Sequence, residues 1–356
     1  MQLFYDTVEI RNRINRPHGK LPDKNLIEEM TESALNLTCE LEKYGEVQGI
    51  TLGGGLSRGY GDMLSEIDLN IYFDEEMLPV WLRGEGPLPH GDYQGNPFHM
   101  DVSFLNLHKV KAEKWGLLQK WDASYQKVLL DKEGEVEKML KEKDVFTAEE
   151  KKALAMRSYL DCTYFGDIVV KQWRLREDPL VAHQMVTKGI PALCRLLFLA
   201  NDEYPPFEKW LVNYSYSLKW KPINWSNSLE KITLIQDLSH EELNRRRNLF
   251  MELYHEVWAK VVGDEYRNTG LLELEALEIL NYVIKNKPRL ETFSEKYGAQ
   301  ELGKEVLFKL AKIKTINGDQ VIVFNKEKFL KEKKNGFPSF LDWNKEMLSH
   351  IKLDEE

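Results

Sequence analysis

The chain has 356 residues, 42% of them apolar and 30% charged, with a net charge of −9, so composition describes an ordinary globular protein of two or three domains with length enough for real cores. The acidic balance argues against a protein whose main business is coating nucleic acid, because neutralising phosphates takes a basic surface, and it suits a cationic acceptor. Three scattered cysteines, Cys39, Cys162 and Cys194, give neither a disulfide framework nor a zinc-ligand spacing, and neither a leader pattern nor an apolar run of membrane-spanning length is present, which points to a reducing cytoplasm and to no membrane partner.

From the N-terminal side, Leu26, Ile27, Met30, Ala34, Leu35, Leu37 and Leu41 recur at helical spacing, predicting a helix over Asp23 to Tyr44 that starts after Pro22 with Asp23 as its cap. Val47 to Leu52 reads as a strand and runs directly into Gly53, Gly54 and Gly55. Glycines permit the tight turn and close backbone approach that phosphate binding by N–H groups requires. Ser57 adds a hydroxyl and Arg58 a fixed cation, both suited to a triphosphate tail. The next strand alternates: Glu66 and Asp68 share one face, while Ile67, Leu69, Ile71 and Phe73 form an apolar face fit for a core. Two carboxylates held this close either tolerate solvent or hold a cation, and hard ions such as Mg²⁺ favour a few carboxylates plus substrate phosphate oxygens.

A segment rich in glycine and proline follows, from Trp81 to Gln94, and fits a surface loop. Beyond it, Phe98 to Asn106 alternates again, with His99, Asp101 and Ser103 on one face and Met100, Val102 and Phe104 on the other. Asp101 fits either a third site acid or a structural acid capping the loop. A helix over Val110 to Gln119, a strand over Lys127 to Asp131 and a turn over Lys132 to Gly134 complete a small α/β head.

The glycine turn, the acid-apolar-acid strand of Glu66 and Asp68, and a further acid at Asp101 together resemble the polymerase-β-like nucleotidyltransferase superfamily, most closely its small-molecule branch of aminoglycoside and lincosamide nucleotidyltransferases. The likeness is specific over Ile50 to Phe73 and diffuse over Asp101 to Asp131. Two departures stand out: Gly55 occupies the place where the family usually has serine, with Ser57 as the candidate substitute, and Glu66 stands where aspartate is commoner. The resemblance implies that Glu66, Asp68 and Asp101 hold one or two Mg²⁺ ions and carry the catalysis. It also implies that Gly54, Gly55, Ser57 and Arg58 seat the phosphates of a nucleoside triphosphate such as ATP.

From Phe146 to Lys285 the pattern is almost wholly helical, with amphipathic segments at Ala148–Leu160, Val181–Leu199, Phe207–Ser217 and Glu241–Val261. Lys171, Arg174 and Lys209 are the basic residues weighed here, and Lys209, after the rigid Pro205-Pro206 pair, resembles a cleft-facing lysine of the helical regions attached to such heads. His183, near the start of its helix, is a candidate acceptor-site group, but a lone histidine on a mostly apolar helix reads first as a satisfied core residue. The C-terminal part runs helix, helix, then a hairpin Ile313–Val323 with an Asn317-Gly318 type I′ turn, an order resembling a winged helix. Its basic run, Lys326, Lys328, Lys331, Lys333 and Lys334, is interleaved with acids, so a structural or partner-binding module is favoured over DNA binding.

The expected architecture is thus α+β: a mixed-sheet nucleotidyltransferase head over residues 1–145, a helical bundle over 146–286 and a winged-helix-like module over 287–356. The expected activity is transfer of a nucleoside monophosphate to a hydroxyl of a small molecule, with release of pyrophosphate. Transfer to a protein or RNA, and an inactive binding protein of the same fold, stand as alternatives. The sequence leaves the acceptor, the base preference and any assembly of two copies open.

Overall fold

A computed structural model describes residues 6–19, 21, 25–74 and 76–353. They form two compact units, one ending at Val257 and the other beginning at Trp258. The first unit holds both the sheet and the long helices up to Val257. Residues 258–286, grouped by composition with the bundle, belong with the C-terminal unit.

The described residues contain nine strands: β1 (Val8–Glu9), β2 (Val47–Leu52), β3 (Ile67–Phe73), β4 (Gly91–Gln94), β5 (His99–Asn106), β6 (Lys127–Asp131), β7 (Val145–Phe146), β8 (Ala311–Ile316) and β9 (Asp319–Phe324). Five of them make a mixed sheet in the order β4-β5-β3-β2-β6, in which β3 and β5 run parallel and every other pair is antiparallel. The alternation predicted for β3 and β5 holds. Ile67, Leu69, Ile71 and Phe73, with Met100, Val102 and Phe104, are buried on one face against Met30, Ala34 and Leu41 of the helix Ile27–Leu41. The opposite face is left with Asp68, Asn70, Asp101 and Ser103, all half-buried. The helix begins beside Leu26, and the expected Pro22 and Asp23 start lies outside the described residues.

Between β3 and β5 the chain is more ordered than the expected surface loop. Trp81, on the short helix Leu78–Leu82, is only 2% exposed and packs on Phe73 and Phe104 at ring-centroid distances of 4.7 and 5.5 Å. β4 then adds itself to the sheet edge. Its sequence, Gly-Asp-Tyr-Gln, has little strand preference of its own; β5 supplies the ladder that holds it. The single helix expected over Val110 to Gln119 is two. Leu107–Ala112 is capped by the Asn106 side chain, which accepts from the Lys109 N–H, and Leu117–Ala123 starts afresh at Gly116, whose N–H donates to Gln119 Oε1.

The helical part of the first unit follows its periodicity closely. Ala148–Thr163 opens with a Thr147/Glu150 capping box and continues through a π-turn at Tyr164–Ile168 into Val169–Leu175. Pro179–Leu199, capped by Asp178, is the buried central helix. Gly166 in the π-turn and Gly189 on the central helix form a slot for Phe250, because a Cβ at either position would run into its ring. His183 is a core residue, as its surroundings predict: burial and the neighbouring Arg246 charge hold its pKa below the ordinary value, and the neutral Nδ1 accepts from the Arg246 guanidinium at 2.8 Å. Lys171 pairs with Asp167, and Arg174 donates to Asn244.

In the C-terminal unit, helices Leu271–Asn286, Leu290–Tyr297 and Glu305–Leu310 precede the β8–β9 hairpin. Asn317 and Gly318 both have positive φ, 52° and 91°, as a type I′ turn requires. Helices Lys326–Lys334 and Asp342–Ser349 complete a core around Leu280, Phe293, Leu307, Ile322 and Phe329. Among the described residues no helix is long and apolar enough to cross a membrane.

The fully buried Phe250 gives a direct test of the helix packing. Phe250→Ala should destabilise the chain by about 3–5 kcal/mol in denaturant unfolding, and Gly166→Ala by about 1–3 kcal/mol through overpacking of the same slot.

Candidate active site

The site is built by strand register. The parallel pairing of β3 with β5 sets Asp68 directly beside Asp101 and Asn70 beside Ser103, so side chains from two strands emerge together on the face away from the core. Glu66, one residue before β3, completes the group: one carboxylate oxygen from each of Glu66, Asp68 and Asp101 lies within 4.8 Å of the other two. The three acids singled out in the sequence are therefore brought together.

The glycine turn is pinned against the same strand. Gly53 N–H donates to the Asp68 carbonyl at 2.8 Å, extending the β2–β3 ladder by one bond. Gly54 follows with φ of +56°, and a Cβ there would fall inside the Asp68 carboxylate. Glycine at 54 thus answers two demands, a left-handed backbone and contact with an acid. At Gly55 a Cβ would lie 2.8 Å from the Tyr60 ring, which accounts for the lack of a serine there. Ser57, the expected phosphate contact, is turned inward. It is 8% exposed and its hydroxyl donates back to the Gly54 carbonyl at 3.0 Å, closing the turn.

A cavity of about 470 Å³ opens over this face. Gly53, Gly54, Arg58, Asp68, Asn70, Asp101 and Ser103 line its sheet side. Glu113, Trp115 and Asp122 line another wall, and Phe207, Lys209 and Trp210 a third. Of the sequence-predicted residues, Gly54, Arg58, Asp68, Asp101 and Lys209 reach it. Gly55 and Ser57 are buried beneath the turn, and Glu66 stands with the acid group at its edge. Lys171 and Arg174 are not among its lining residues.

Arg58 is held by partners that the sequence pattern did not reveal. Its side chain is 7% exposed, bonded to Asp122 Oδ1 at 2.7 Å and stacked over Trp121 at 4.7 Å. Burial works against its charge, but a hydrogen bond with Tyr60 and the attraction of Asp122 hold its pKa above the ordinary value. Behind it runs a polar chain: Asn70 donates to Thr51, Thr51 to Gln126, and Gln126 to the other oxygen of Asp122. Asp122 comes from the helix Leu117–Ala123, and no local motif marks it as a site residue.

The acids are electrostatically unbalanced. Burial first, then the Glu66 charge, push the Asp68 carboxyl up to about 7, with Asp122 and Asp101 adding and Arg58 opposing.

No protein-family model matches the chain, and no curated protein matches it. Among solved structures, a nucleotidyltransferase-like protein from Exiguobacterium sibiricum 255-15 aligns over 82% of this chain and 98% of its own, with 13% identity and a TM-score of 0.38. A likeness that distant assigns neither fold nor activity, and the chemistry rests on the residues described above.

The raised Asp68 pKa has a definite sign. Between the ordinary value of 3.8 and about 7 the unfolded chain has lost a proton that the folded chain keeps, so this group favours folding in acid and the benefit is lost as pH rises through about 7. In chelator, Asp68→Asn should therefore gain in Tm relative to the wild type between about pH 5 and pH 8; parallel pH profiles would show that the carboxyl is not strained.

Proposed function

We propose that the chain is a divalent-metal-dependent nucleotidyltransferase that moves a nucleoside monophosphate from a nucleoside triphosphate to a hydroxyl of a small molecule. The observation that carries this reading is the convergence of Glu66, Asp68 and Asp101 beside a glycine turn, at a cavity lined by Arg58 on the same side and Lys209 on another wall.

The donor set fits a hard divalent cation. Three carboxylate oxygens within 4.8 Å of one another supply the oxygen ligands that Mg²⁺ prefers. The chemistry supplied by one or two Mg²⁺ ions when bound is charge neutralisation on the triphosphate oxygens.

The remaining work falls to the chain's own groups. The Gly54 backbone, at the start of a helical turn and at the cavity wall, is offered to the phosphate tail. Arg58, fixed by Asp122 and Trp121, gives a cation that need not reorganise when charge develops on the leaving pyrophosphate. Lys209, exposed on the opposite wall, neutralises the tail from the other side. Asp101 accepts the acceptor hydroxyl's proton or orients that hydroxyl for in-line attack on the α-phosphorus. Glu113 and Asp122 make the cavity acid-lined, which suits a polyhydroxylated or cationic acceptor in a space of ordinary ligand-site size. The chemistry belongs to a cytoplasmic enzyme that meets nucleoside triphosphates at working concentrations. The burial of Ser57 and the glycine at 55 favour one second reading, a catalytically inactive protein of this fold that acts as a binding module for another partner.

Thermal stability should rise more with a nucleoside triphosphate plus Mg²⁺ than with either alone. If none of the four common nucleotides shifts Tm, the binding-only reading replaces the enzyme. With labelled nucleotide and pooled small-molecule acceptors, Asp68→Asn should lower transfer by roughly 10²–10³-fold, the scale of losing one key electrostatic contact. Label that follows protein or RNA fractions would instead identify a macromolecular acceptor. Lys209→Ala should weaken nucleotide binding by about tenfold or more, the usual loss for a charged hydrogen-bonding partner, and an unchanged KM would remove Lys209 from the phosphate site.

A further inference from the structure

β4 brings to the open side of the acid group two residues that the proposed transfer does not use. Asp92 pairs directly with Asp101 across the β4–β5 ladder, and His99 precedes Asp101 by two residues on the same strand face. One ligand atom from each of Glu66, Asp92 and His99 lies within 4.8 Å of the other two. His99 Nε2 bonds Asp92 Oδ1 directly, and the two side chains are 40% and 67% exposed. Neither lines the cavity, so both are reached from solvent without passing the substrate site.

This donor set differs in kind from its neighbour. Three carboxylates suit a hard ion, whereas an imidazole nitrogen with two carboxylates suits a borderline transition ion and leaves coordination positions for water. Bonds of about 2.0–2.2 Å put two ligands of one ion at most about 4.4 Å apart, so the grouping lies near the required span, and the Asp92–His99 pair must open to admit an ion. All three residues sit on or beside the paired strands β3, β4 and β5, which fixes their backbone positions.

We infer that Glu66, Asp92 and His99 form a second divalent-cation site, selective for Mn²⁺, Co²⁺ or Zn²⁺ over Mg²⁺, which shares Glu66 with Asp68 and Asp101. A transition ion seated there replaces the Asp92–His99 bond and draws Glu66 away from the other two acids. Occupation of the outer site therefore opposes Mg²⁺ binding at the inner one. This last consequence rests on the Mg²⁺ reading given above; the outer site itself does not.

The test uses the full-length chain stripped of metal and titrated with Co²⁺ alone, followed by visible absorption, with Zn²⁺ as competitor. The wild type should show one saturable band that Zn²⁺ displaces. His99→Ala and Asp92→Asn should each weaken it at least about tenfold, and Asp68→Asn should leave it in place. Both substituted side chains are largely at the surface, and an unchanged Tm confirms that each variant folds. A band that survives in both His99→Ala and Asp92→Asn, or is missing from the wild type, overturns the proposal. Independently, Zn²⁺ should reduce the stabilisation by Mg²⁺ plus nucleotide in the wild type but not in His99→Ala. A His99-dependent Co²⁺ band without any nucleotide effect would keep the outer site and refute the transferase, whereas a nucleotide effect without such a band would do the reverse.

Discussion

The parallel pairing of β3 and β5 is the constraint from which the site follows. Side chains alternate along each strand, so a register shift of one residue would send Asp101 to the core face while Asp68 stayed on the other. Register is held by the apolar set on the reverse side, where Ile67, Leu69, Ile71, Met100, Val102 and Phe104 must all find the helix Ile27–Leu41 or one another. The like charges are an unfavourable by-product of that packing. They are tolerated because the core fixes them, and burial first, then the Glu66 charge, hold the Asp68 carboxyl above its ordinary value.

The second strand of support is the glycine turn. One backbone bond, from Gly53 to the Asp68 carbonyl, ties it to β3, and the Ser57 hydroxyl closes it from beneath. Arg58 then leaves the turn in one direction only, because Asp122, Trp121 and Tyr60 surround it. The polar chain from Asn70 through Thr51 and Gln126 to Asp122 links the acid-bearing strand to the arginine's anchor through groups that are each half-buried or buried. Acids and cation are therefore parts of one scaffold.

Much of this was legible in the residues because it rests on short-range periodicity. The alternation in β3 and β5, the Asn317-Gly318 turn and the long amphipathic helices each carry a local pattern strong enough to survive without tertiary information. What escaped was set by partners distant in sequence. β4 is a strand only because β5 offers it a ladder, and Trp81 is buried only because Phe73 and Phe104 are there to cover it. Asp122 carries no motif, since its meaning comes from an arginine 64 positions earlier in the chain. Ser57 shows what residue type and spacing leave out: they do not report which way a hydroxyl turns within a single helical turn, and this one bonds the Gly54 carbonyl. The unit boundary near Val257 was invisible for a related reason, because the helical pattern continues through it.

The close approach of the Asp68 carboxylate to Gly54 couples two positions of the chain. While the Asp68 carboxylate keeps this place, a side chain at 54 would have to displace it, and the positive φ would strain any residue but glycine besides. Once Asp68 is replaced by something smaller, the crowding eases and only the left-handed backbone still favours glycine. A substitution at 54 therefore acts on the acid as well as on the turn, by pushing the carboxylate out of the place the strand gives it.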